Sequence, residues 1–411
     1  MLEQLRVRGF KSLRDVQVCL PRLTVLFGPN AAGKSNLLDA MQALSRIATS
    51  RTLTEAFSDP IRGYPIEAFG FPSGGLPALL GQERAQFDLE GKLSIGNESY
   101  QYKVQAGIHP GSGTLSVLDE YLTVLDKKGG PKGAPSIEKV DDQIRIRRKS
   151  KPAHPRREKP GQNYSILSDP RLGGVEYRAI ERCRTEFAAW RVYYLDPRVA
   201  MRSAKSPAEV QDIGVLGEDI APFLYRLRAA KPKCFEAVKR TLCSLVPSVE
   251  DLVVDLDQRR GTLDIMVRQN GTEFSSRIVS EGTLRVLALC AIAANPWGGT
   301  LVAFEEPENG VHPRRLELIA QLLASLAIDQ DRQVVVTTHS PVFCDEVLKK
   351  AREKPGEVAI LNVRQVGGGT DVQPLDLLGP LFDSTHISQL LAESAEDGVF
   401  ESLMLRGLLN E

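Results

Sequence analysis

Two periods of hydrophobic residues alternate along the chain and predict a mixed α/β fold. Short apolar runs in RLTVLF, TLVAF and RQVVVTT are typical of buried strands. The segment NLLDAMQALSRI has apolar residues at 37, 38, 41 and 44, and the segment after Ser280 has them at 284, 287, 288 and 291. This is the spacing of amphipathic helices.

The middle of the chain changes to an alternation of apolar and polar residues. RAQFDLEGKLSIGNESYQYKVQAG and GTLSVLDEYLTVLDKKG predict an antiparallel β-meander. After it we expect a helix leading into a strand (EYRAIERCRTEFAAWRVYYLDPR), two helices (GEDIAPFLYRLRAA, KCFEAVKRTLCSLV) and a strand pair with an Asn-Gly turn (DLVVDL, TLDIMVRQNGTEF). The chain ends with one predicted strand (GEVAILNVRQ) and two helices (HISQLLAESAEDGVFESLMLRGLL). No heptad repeat is sustained, which excludes long coiled-coil arms.

Charge and composition narrow the class of protein. The 411 residues include 52 Lys and Arg and 52 Asp and Glu, so any attraction to nucleic acid or membrane must come from a local patch. The six cysteines have no C-x-x-C or zinc-type spacing and are interpreted as buried thiols in a reducing compartment. No signal-type region or run of about 18 apolar residues occurs. The sequence therefore predicts a soluble, cytoplasmic protein with no membrane contact.

The turn GPNAAGKS carries the pattern G-x-x-x-x-G-K-[ST] between the first predicted strand and helix. In this setting backbone N–H groups converge on an anion, and the helix adds its positive N-terminus. Gly28 and Gly33 let the backbone approach phosphates. Lys34 reaches the β- and γ-phosphates, and the Ser35 hydroxyl is a Mg²⁺ ligand. A chance glycine-rich turn is the alternative, but the strand–loop–helix context favours a nucleoside triphosphate site.

Polar residues also follow the two later strands. Glu305 and Glu306 come directly after Leu301–Phe304, and His339 follows QVVVTT. In an open α/β sheet, ligands bind at the carboxyl ends of the strands. We therefore expect Glu305 in the magnesium shell, Glu306 orienting or deprotonating the attacking water, and His339 on a γ-phosphate oxygen. The alternatives are solvated carboxylates ending a strand and a merely packed histidine.

Ser280, Glu281, Gly282 and Thr283 stand directly before a predicted helix. Ser280 is a good N-cap, so a simple helix start is one interpretation. The other is a second anion-binding helix terminus. Because the first loop already holds phosphates, this terminus would face the nucleotide of a second subunit.

Four segments, taken in their order along the chain, resemble motifs of the ABC-type ATPase heads of the SMC, RecF and OLD group. They are GPNAAGKSN, SEGTLR, FEEPENGVHP and TTHSP. More closely, they resemble bacterial RecF/OLD-like AAA ATPases, here without a Toprim domain. The resemblance covers about residues 1–45 and 275–345. It implies an α/β P-loop ATPase head with a mixed core sheet flanked by helices, an N-terminal antiparallel β subdomain and an inserted β/helical region. We expect one head divided at 1–75 (Walker A lobe), 76–200 (insert), 201–345 (signature, Walker B and switch histidine) and 346–411 (C-terminal strand and helices).

The resemblance also implies roles for individual residues, with ATP and Mg²⁺ as cofactors. Glu306, His339 and Lys34 would be catalytic, Ser35 and Glu305 would hold the metal, and the signature 280–283 would act across a dimer. The ATP-binding loop would comprise Gly28, Pro29, Asn30, Ala31, Ala32, Gly33, Lys34, Ser35 and Asn36. Glu305 stands where many ABC heads have aspartate, a variant common in the OLD-like group. The signature SEGT replaces the transporter motif LSGGQ and disfavours an ABC transporter subunit.

A basic run, IRIRRKSKPAHPRREKPGQ, lies inside the insert. Its possible DNA contacts are Arg145, Arg147, Arg148, Lys149, Lys151, Arg156, Arg157 and Lys159. A solvated, partly disordered loop is one interpretation. The other is a sequence-independent, salt-sensitive contact with DNA phosphates. The run has no aromatic residues for base stacking, so base reading is not supported.

Together these features predict a Mg²⁺-dependent ATPase that forms a homodimer, or a higher even-numbered assembly, around ATP and regulates DNA repair or antiphage defence. The tail shows no D-x-D after a strand and no metal-ligand cluster. A nuclease is therefore expected on a separate effector protein, not on this chain. The alternative is a nucleotide-gated scaffold with little turnover that docks the effector.

Replacement of Lys34 by alanine removes the cation that neutralises the β- and γ-phosphates. We predict that K34A abolishes ATP binding and keeps the fold. Titration with a fluorescent ATP analogue and Mg²⁺ measures the affinity, and circular dichroism checks the fold. Binding of the analogue by K34A with wild-type affinity would refute the assignment of this loop.

Overall fold

The computed structural model describes residues 1–58, 61–375, 398 and 400. The strands are β1 (Leu2–Phe10), β2 (Leu13–Cys19), β3 (Leu23–Phe27), β4 (Ala85–Ile95), β5 (Glu98–His109), β6 (Thr114–Leu125), β7 (Ile137–Val140), β8 (Gln143–Ile146), β9 (Arg156–Glu158), β10 (Trp190–Tyr193), β11 (Val249–Asp257), β12 (Thr262–Gln269), β13 (Thr272–Ser275), β14 (Leu301–Glu305), β15 (Gln333–Thr338), β16 (Val358–Val366) and β17 (Gly369–Pro374). The helices are α1 (Lys34–Thr49), α2 (Leu53–Ala56), α3 (Gly75–Leu80), α4 (Arg178–Ala188), α5 (Ile220–Ala230), α6 (Pro232–Leu245), α7 (Glu281–Ala293), α8 (Leu316–Ile328) and α9 (Pro341–Glu353).

The chain folds into two compact units, each assembled from separate segments. The first unit comprises Met1–Pro21, Gly28–Trp190 and Leu361–Pro374. The second comprises Arg22–Phe27, Arg191–Ile360 and the described residues from 375 onward. The short segment that contains β3 therefore belongs to the second unit, although the chain on both sides of it belongs to the first. The four boundaries expected from the sequence stay a prediction.

The first unit contains an eight-stranded sheet in the order β2-β1-β4-β5-β6-β7-β8-β9. All of its strand pairs are antiparallel. In β4, every second residue from Ala85 to Leu93 is buried, because alternate side chains of a strand point to opposite faces. Helices α1 and α4 pack against each other and against strands of this sheet. The predicted N-terminal antiparallel β subdomain and the predicted β-meander are both confirmed.

The second unit contains a sheet in the order β10, β14, β15, β3 and β16. β14, β15 and β3 are parallel, and their continuous apolar sequences are explained by burial on both faces. All five residues of β3 and all six of β15 are buried. β16 continues into the first unit, where it pairs antiparallel with β17.

A separate three-stranded antiparallel sheet, β11-β12-β13, also belongs to the second unit. The prediction of a strand pair here was incomplete, because the Asn-Gly turn joins β12 to the additional short strand β13. Asn270 and Gly271 both have positive φ, as a two-residue hairpin turn requires.

The parallel register brings three strand ends to one edge of the sheet in the second unit. Glu305 on β14 pairs with Thr337 on β15, and Thr338 pairs with Phe27 on β3. Phe27 is the residue that precedes Gly28 in the chain. The glutamates, the histidine and the start of the glycine-rich loop therefore follow neighbouring strand ends.

Near the C-terminus, the predicted strand is observed as β16, and β17 was not predicted. The two helices expected in HISQLLAESAEDGVFESLMLRGLL lie outside the described residues. Within residues 1–58 and 61–375, no helix is both long and apolar enough to cross a membrane.

Candidate active site

Two positions in the loop between β3 and α1 leave no room for a side chain. A Cβ on Gly28 would lie 2.1 Å from the Val363 carbonyl oxygen, and one on Gly33 would lie 2.0 Å from Thr370 Oγ1. Gly33 also has a φ of 102°, which residues with a Cβ rarely adopt. The two glycines of the predicted pattern are therefore required by packing within the first unit.

A chain of polar groups braces this loop. Asn36 Nδ2 donates to Ser12 Oγ at 2.7 Å, and the hydroxyls of Ser12 and Thr370 are 2.6 Å apart. Thr370 Oγ1 in turn donates to the Ala32 carbonyl at 3.0 Å. A trans peptide points its C=O and N–H in opposite directions. Holding the Ala32 carbonyl toward Thr370 therefore turns the Gly33 N–H away from Thr370.

The backbone of the loop alternates in handedness. Ala31 and Gly33 have φ values of 63° and 102°, whereas Ala32 between them does not have a positive φ. Such alternation aims successive N–H groups at one point, which forms an anion-binding nest. The first turn of α1 has no acidic residue and no side-chain cap. These N–H groups and the helix terminus suit a phosphate group.

Lys34 is buried in the loop that it follows. Its Nζ donates to the carbonyl oxygens of Gly28 at 2.7 Å and Pro29 at 2.9 Å. Only 5% of its surface is exposed. The ammonium group is thus held inside the loop, where an anion bound by the nest would contact it. Ser35 follows within the first turn of α1.

In the second unit, the end of β14 places Glu306 beside His339. Glu305 is the last residue of β14, and Glu306 starts the following turn with a φ of 43°. The Glu306 amide donates to the carbonyl and the hydroxyl of Thr337, at 3.1 and 3.2 Å. His339 Nδ1 lies 3.2 Å from Glu306 Oε1. Two of the predicted catalytic residues are therefore in direct contact.

Glu308 and Thr338 form a second link between the same two strand ends, and this link was not predicted. Thr338 Oγ1 donates to Glu308 Oε1 and accepts from the Ser340 amide at 2.9 Å. Burial raises the pKa of the Glu308 carboxyl, which is 5% exposed. The turn after β14 is thus tied to the segment that carries His339.

The residues from Ser280 to Thr283 start helix α7 as predicted. Ser280 Oγ accepts from the Thr283 amide at 3.2 Å, which confirms the N-cap. Glu281 pairs with Arg198 at 2.9 Å. A Cβ on Gly282 would lie 2.4 Å from the Gly310 carbonyl oxygen, so this glycine lets α7 pack directly on the turn after β14.

Comparison with known proteins identifies the protein family to which the chain belongs. Residues 23–345 match the family described as "AAA domain, putative AbiEii toxin, Type IV TA system". The chain belongs to this AAA family. The match includes the glycine-rich loop, the signature segment, both glutamates and His339. The predicted membership in an AAA family of ATPases is confirmed.

One solved Smc head shows the same fold, and two further heads match at lower TM-scores. An Smc head bound to the C-winged helix domain of ScpA has a TM-score of 0.52 at 15% identity, and the match covers 92% of this chain and 98% of that chain. An Smc head from Pyrococcus furiosus, bound to the C-terminal domain of ScpA, has a TM-score of 0.48 at 13% identity, covering 96% and 99%. The SMC head domain from Thermotoga maritima has a TM-score of 0.42 at 15% identity, covering 91% and 99%. The first of these comparisons confirms the predicted α/β ATPase-head fold.

As a member of this AAA family, the chain is a P-loop nucleotide-binding ATPase. The loop Gly28–Ser35 carries the sequence pattern of a Walker A motif and is called the Walker A loop. The Ser35 hydroxyl and the Glu305 carboxylate are each hard oxygen ligands of the kind that Mg²⁺ prefers. Across the part of the chain that the structure describes, no group of three or more His, Cys, Asp or Glu side chains is arranged to hold a metal.

The basic run belongs partly to the sheet of the first unit. Arg145 lies on β8, and Arg156 and Arg157 lie on β9, which pairs with it. Two of the eight cations are in ion pairs, Arg147 with Glu138 and Arg156 with Glu158. Five are exposed, namely Arg148, Lys149, Lys151, Arg157 and Lys159. DNA contact by these residues stays a prediction.

Replacing Thr370 by valine keeps the side-chain shape and removes the hydroxyl from the brace of the Walker A loop. We predict that T370V weakens ATP binding and lowers the free energy of unfolding by about 1–3 kcal/mol, because the Ala32 carbonyl loses its donor. Urea unfolding and nucleotide titration measure the two effects. T370S keeps the hydroxyl and should remain close to the wild type; equal losses in both variants would show that the hydroxyl is not responsible.

The positive φ of Glu306 gives a prediction about stability. A non-glycine residue in this conformation costs about 1–2 kcal/mol. We expect E306G to unfold at no lower urea concentration than the wild type, even though it loses ATP hydrolysis. E305G, at the end of strand β14, should lose about 0.5–1 kcal/mol. If E306G is destabilised as much as E305G, the backbone at 306 is not strained.

Proposed function

We propose that this protein is a Mg²⁺-dependent ATPase whose heads dimerise around ATP and separate after hydrolysis. The single observation that carries the proposal is the register of β14, β15 and β3. It sets Glu305, Thr338 and Phe27 at the ends of neighbouring parallel strands. Each strand end is followed by residues suited to one part of phosphoryl transfer, namely water activation, γ-phosphate contact and phosphate binding.

Binding is the task of the Walker A loop. Its N–H groups and Lys34 neutralise the phosphates, and the Ser35 hydroxyl and the Glu305 carboxylate would hold the metal. Mg²⁺, when bound, neutralises developing charge on the phosphate oxygens. The two glycines let the loop pack directly against Val363 and Thr370, which holds its backbone in place.

Hydrolysis depends on Glu306 and His339. The Glu306 carboxylate orients the attacking water and accepts its proton. Because His339 Nδ1 faces Glu306, Nε2 is the nitrogen left to contact a γ-phosphate oxygen. The imidazole is 48% exposed, so this second nitrogen can be reached by a ligand. The pair thus links the water to the phosphate.

Two identical heads would complete each other's sites. We infer that Ser280–Thr283 of one subunit contact the nucleotide of the other, which requires a homodimer or a higher even-numbered assembly. Besides the Thr283 amide, which Ser280 caps, the first turn of α7 has backbone N–H groups, and these and the positive end of the helix suit a phosphate. The assignment of the partner nucleotide rests on the resemblance to SMC- and RecF-like heads.

The ATPase cycle is proposed to control a separate effector of the nuclease type, in DNA repair or antiphage defence in the cytoplasm. A similar Smc head is bound to the C-winged helix domain of ScpA, a second protein. This supports the proposal that the present chain acts through a separate effector protein. The exposed cations of the basic run would hold DNA through its phosphates without reading sequence. A nucleotide-gated scaffold is the rival, and measured turnover by the purified protein, alone and with DNA, separates the two.

Glutamine at position 306 keeps the side-chain size but cannot accept a proton. We predict that E306Q binds ATP, hydrolyses it at least about 100-fold more slowly and accumulates as a dimer. Size-exclusion chromatography with light scattering, with and without Mg²⁺-ATP, measures the mass. K34A is the control and should stay monomeric in both conditions. A monomeric E306Q with ATP bound would count against the dimer.

A further inference from the structure

Arg285 connects helix α7 to the backbone of the catalytic glutamate. Its Nη1 donates to the Glu306 carbonyl at 3.0 Å, and its Nη2 lies 3.5 Å from the Leu195 carbonyl. Its Nε is buried and has no hydrogen-bond partner among the described residues. Burial lowers the pKa of Arg285, while the carboxylates of Glu308, Glu281 and Glu306 oppose this effect. A partly buried guanidinium that reaches a backbone carbonyl costs desolvation, so its position calls for an explanation.

Glu306 is the residue that this contact restrains. Thr337 holds its amide, and its carbonyl accepts from both Arg285 and the Asn309 amide, each at 3.0 Å. A residue with a φ of 43° keeps that conformation only when its surroundings hold it there. The direction of the Glu306 carboxylate toward His339 follows from this backbone conformation. Without Arg285 the carbonyl is held only by the local turn bond from Asn309, so the backbone should relax.

The approach of α7 determines where Arg285 lies. Gly282, in the first turn of α7, packs against the Gly310 carbonyl with no space for a Cβ. Arg285 follows one turn later on the same helix. A shift of the first turn of α7 would therefore move the guanidinium relative to the Glu306 carbonyl.

We propose that Arg285 is a positioning residue for Glu306, and that through it the orientation of the catalytic carboxylate depends on the position of the signature helix α7. The inference rests on the proposed ATPase function of the same site. Arg285 itself touches no reacting atom. It acts by keeping the turn after β14 in the strained conformation, and this conformation directs the Glu306 carboxylate toward His339.

Arg332 provides a matched control. It is also a partly buried arginine whose pKa is lowered by desolvation. It donates to the carbonyls of Ile292 and Asn295 at the other end of α7. Loss of its guanidinium should destabilise the same helix without affecting Glu306. The two arginines thus separate stabilisation of α7 from positioning of the glutamate.

The experiment compares R285M, R285K and R332M for kcat, ATP affinity and thermal midpoint. For R285M we expect kcat to fall about 10- to 100-fold, since small misplacements of catalytic groups have effects of this size. ATP affinity should change less than about threefold, because the Walker A loop is untouched. R285K retains one donor and should recover part of the lost kcat. R332M should lower the thermal midpoint. Its kcat per folded molecule should stay within about twofold of the wild-type value.

Wild-type kcat in R285M would overturn the inference, and so would an equal loss of kcat in R285M and R332M. If R285M fails to fold, a reduced kcat with normal ATP affinity in R285K supports the proposal, and an unchanged kcat overturns it. Crystal structures of the wild type and of the folded Arg285 variants give a readout that needs no turnover. Glu306 should leave the left-handed region on substitution, and an unchanged φ overturns the inference. Absence of turnover in the wild type would refute the ATPase proposal instead.

Discussion

The pairing of β15 with β14 on one side and β3 on the other is the constraint on which the candidate site depends. β15 is buried along its whole length, and a one-residue slip of a strand would reverse which face each side chain occupies. The register therefore has one low-energy solution. In that register Thr337 lies opposite Glu305. The carbonyl and the hydroxyl of Thr337 both accept hydrogen bonds from the Glu306 amide. The strained turn at Glu306 is a direct product of sheet pairing.

Much of this arrangement is predictable because it depends on local patterns. The buried strands are short apolar runs, and the helices after Gly33, Ser280 and Ser340 begin at recognisable N-terminal signals. The spacing of Gly28, Gly33 and Lys34 identifies a phosphate loop from eight residues. The position of Glu305 and His339 at strand ends then follows from the parallel topology. None of these steps requires knowledge of a distant contact.

The parts that sequence reasoning missed are contacts between residues far apart in the chain. Ser12 and Thr370 are separated by 358 positions, and neither belongs to a motif. Arg285 and Glu308 are charged residues at positions where exposure is the ordinary expectation, so their burial was not predicted. β13 and β17 are short strands whose existence depends on a partner already being in place. The basic run was read as one feature, yet two of its cations are neutralised by Glu138 and Glu158.

The segmented course of the first unit has a consequence for biosynthesis. Residues 361–374 complete that unit, and Thr370 among them bonds the Walker A loop that was synthesised more than 330 residues earlier. While the chain is still emerging from the ribosome, the loop at Gly28–Ser35 lacks its brace. Nascent or truncated chains that end before β17 should therefore be poor at retaining nucleotide. Capture of ATP would thus be linked to synthesis of the segment that contains β17.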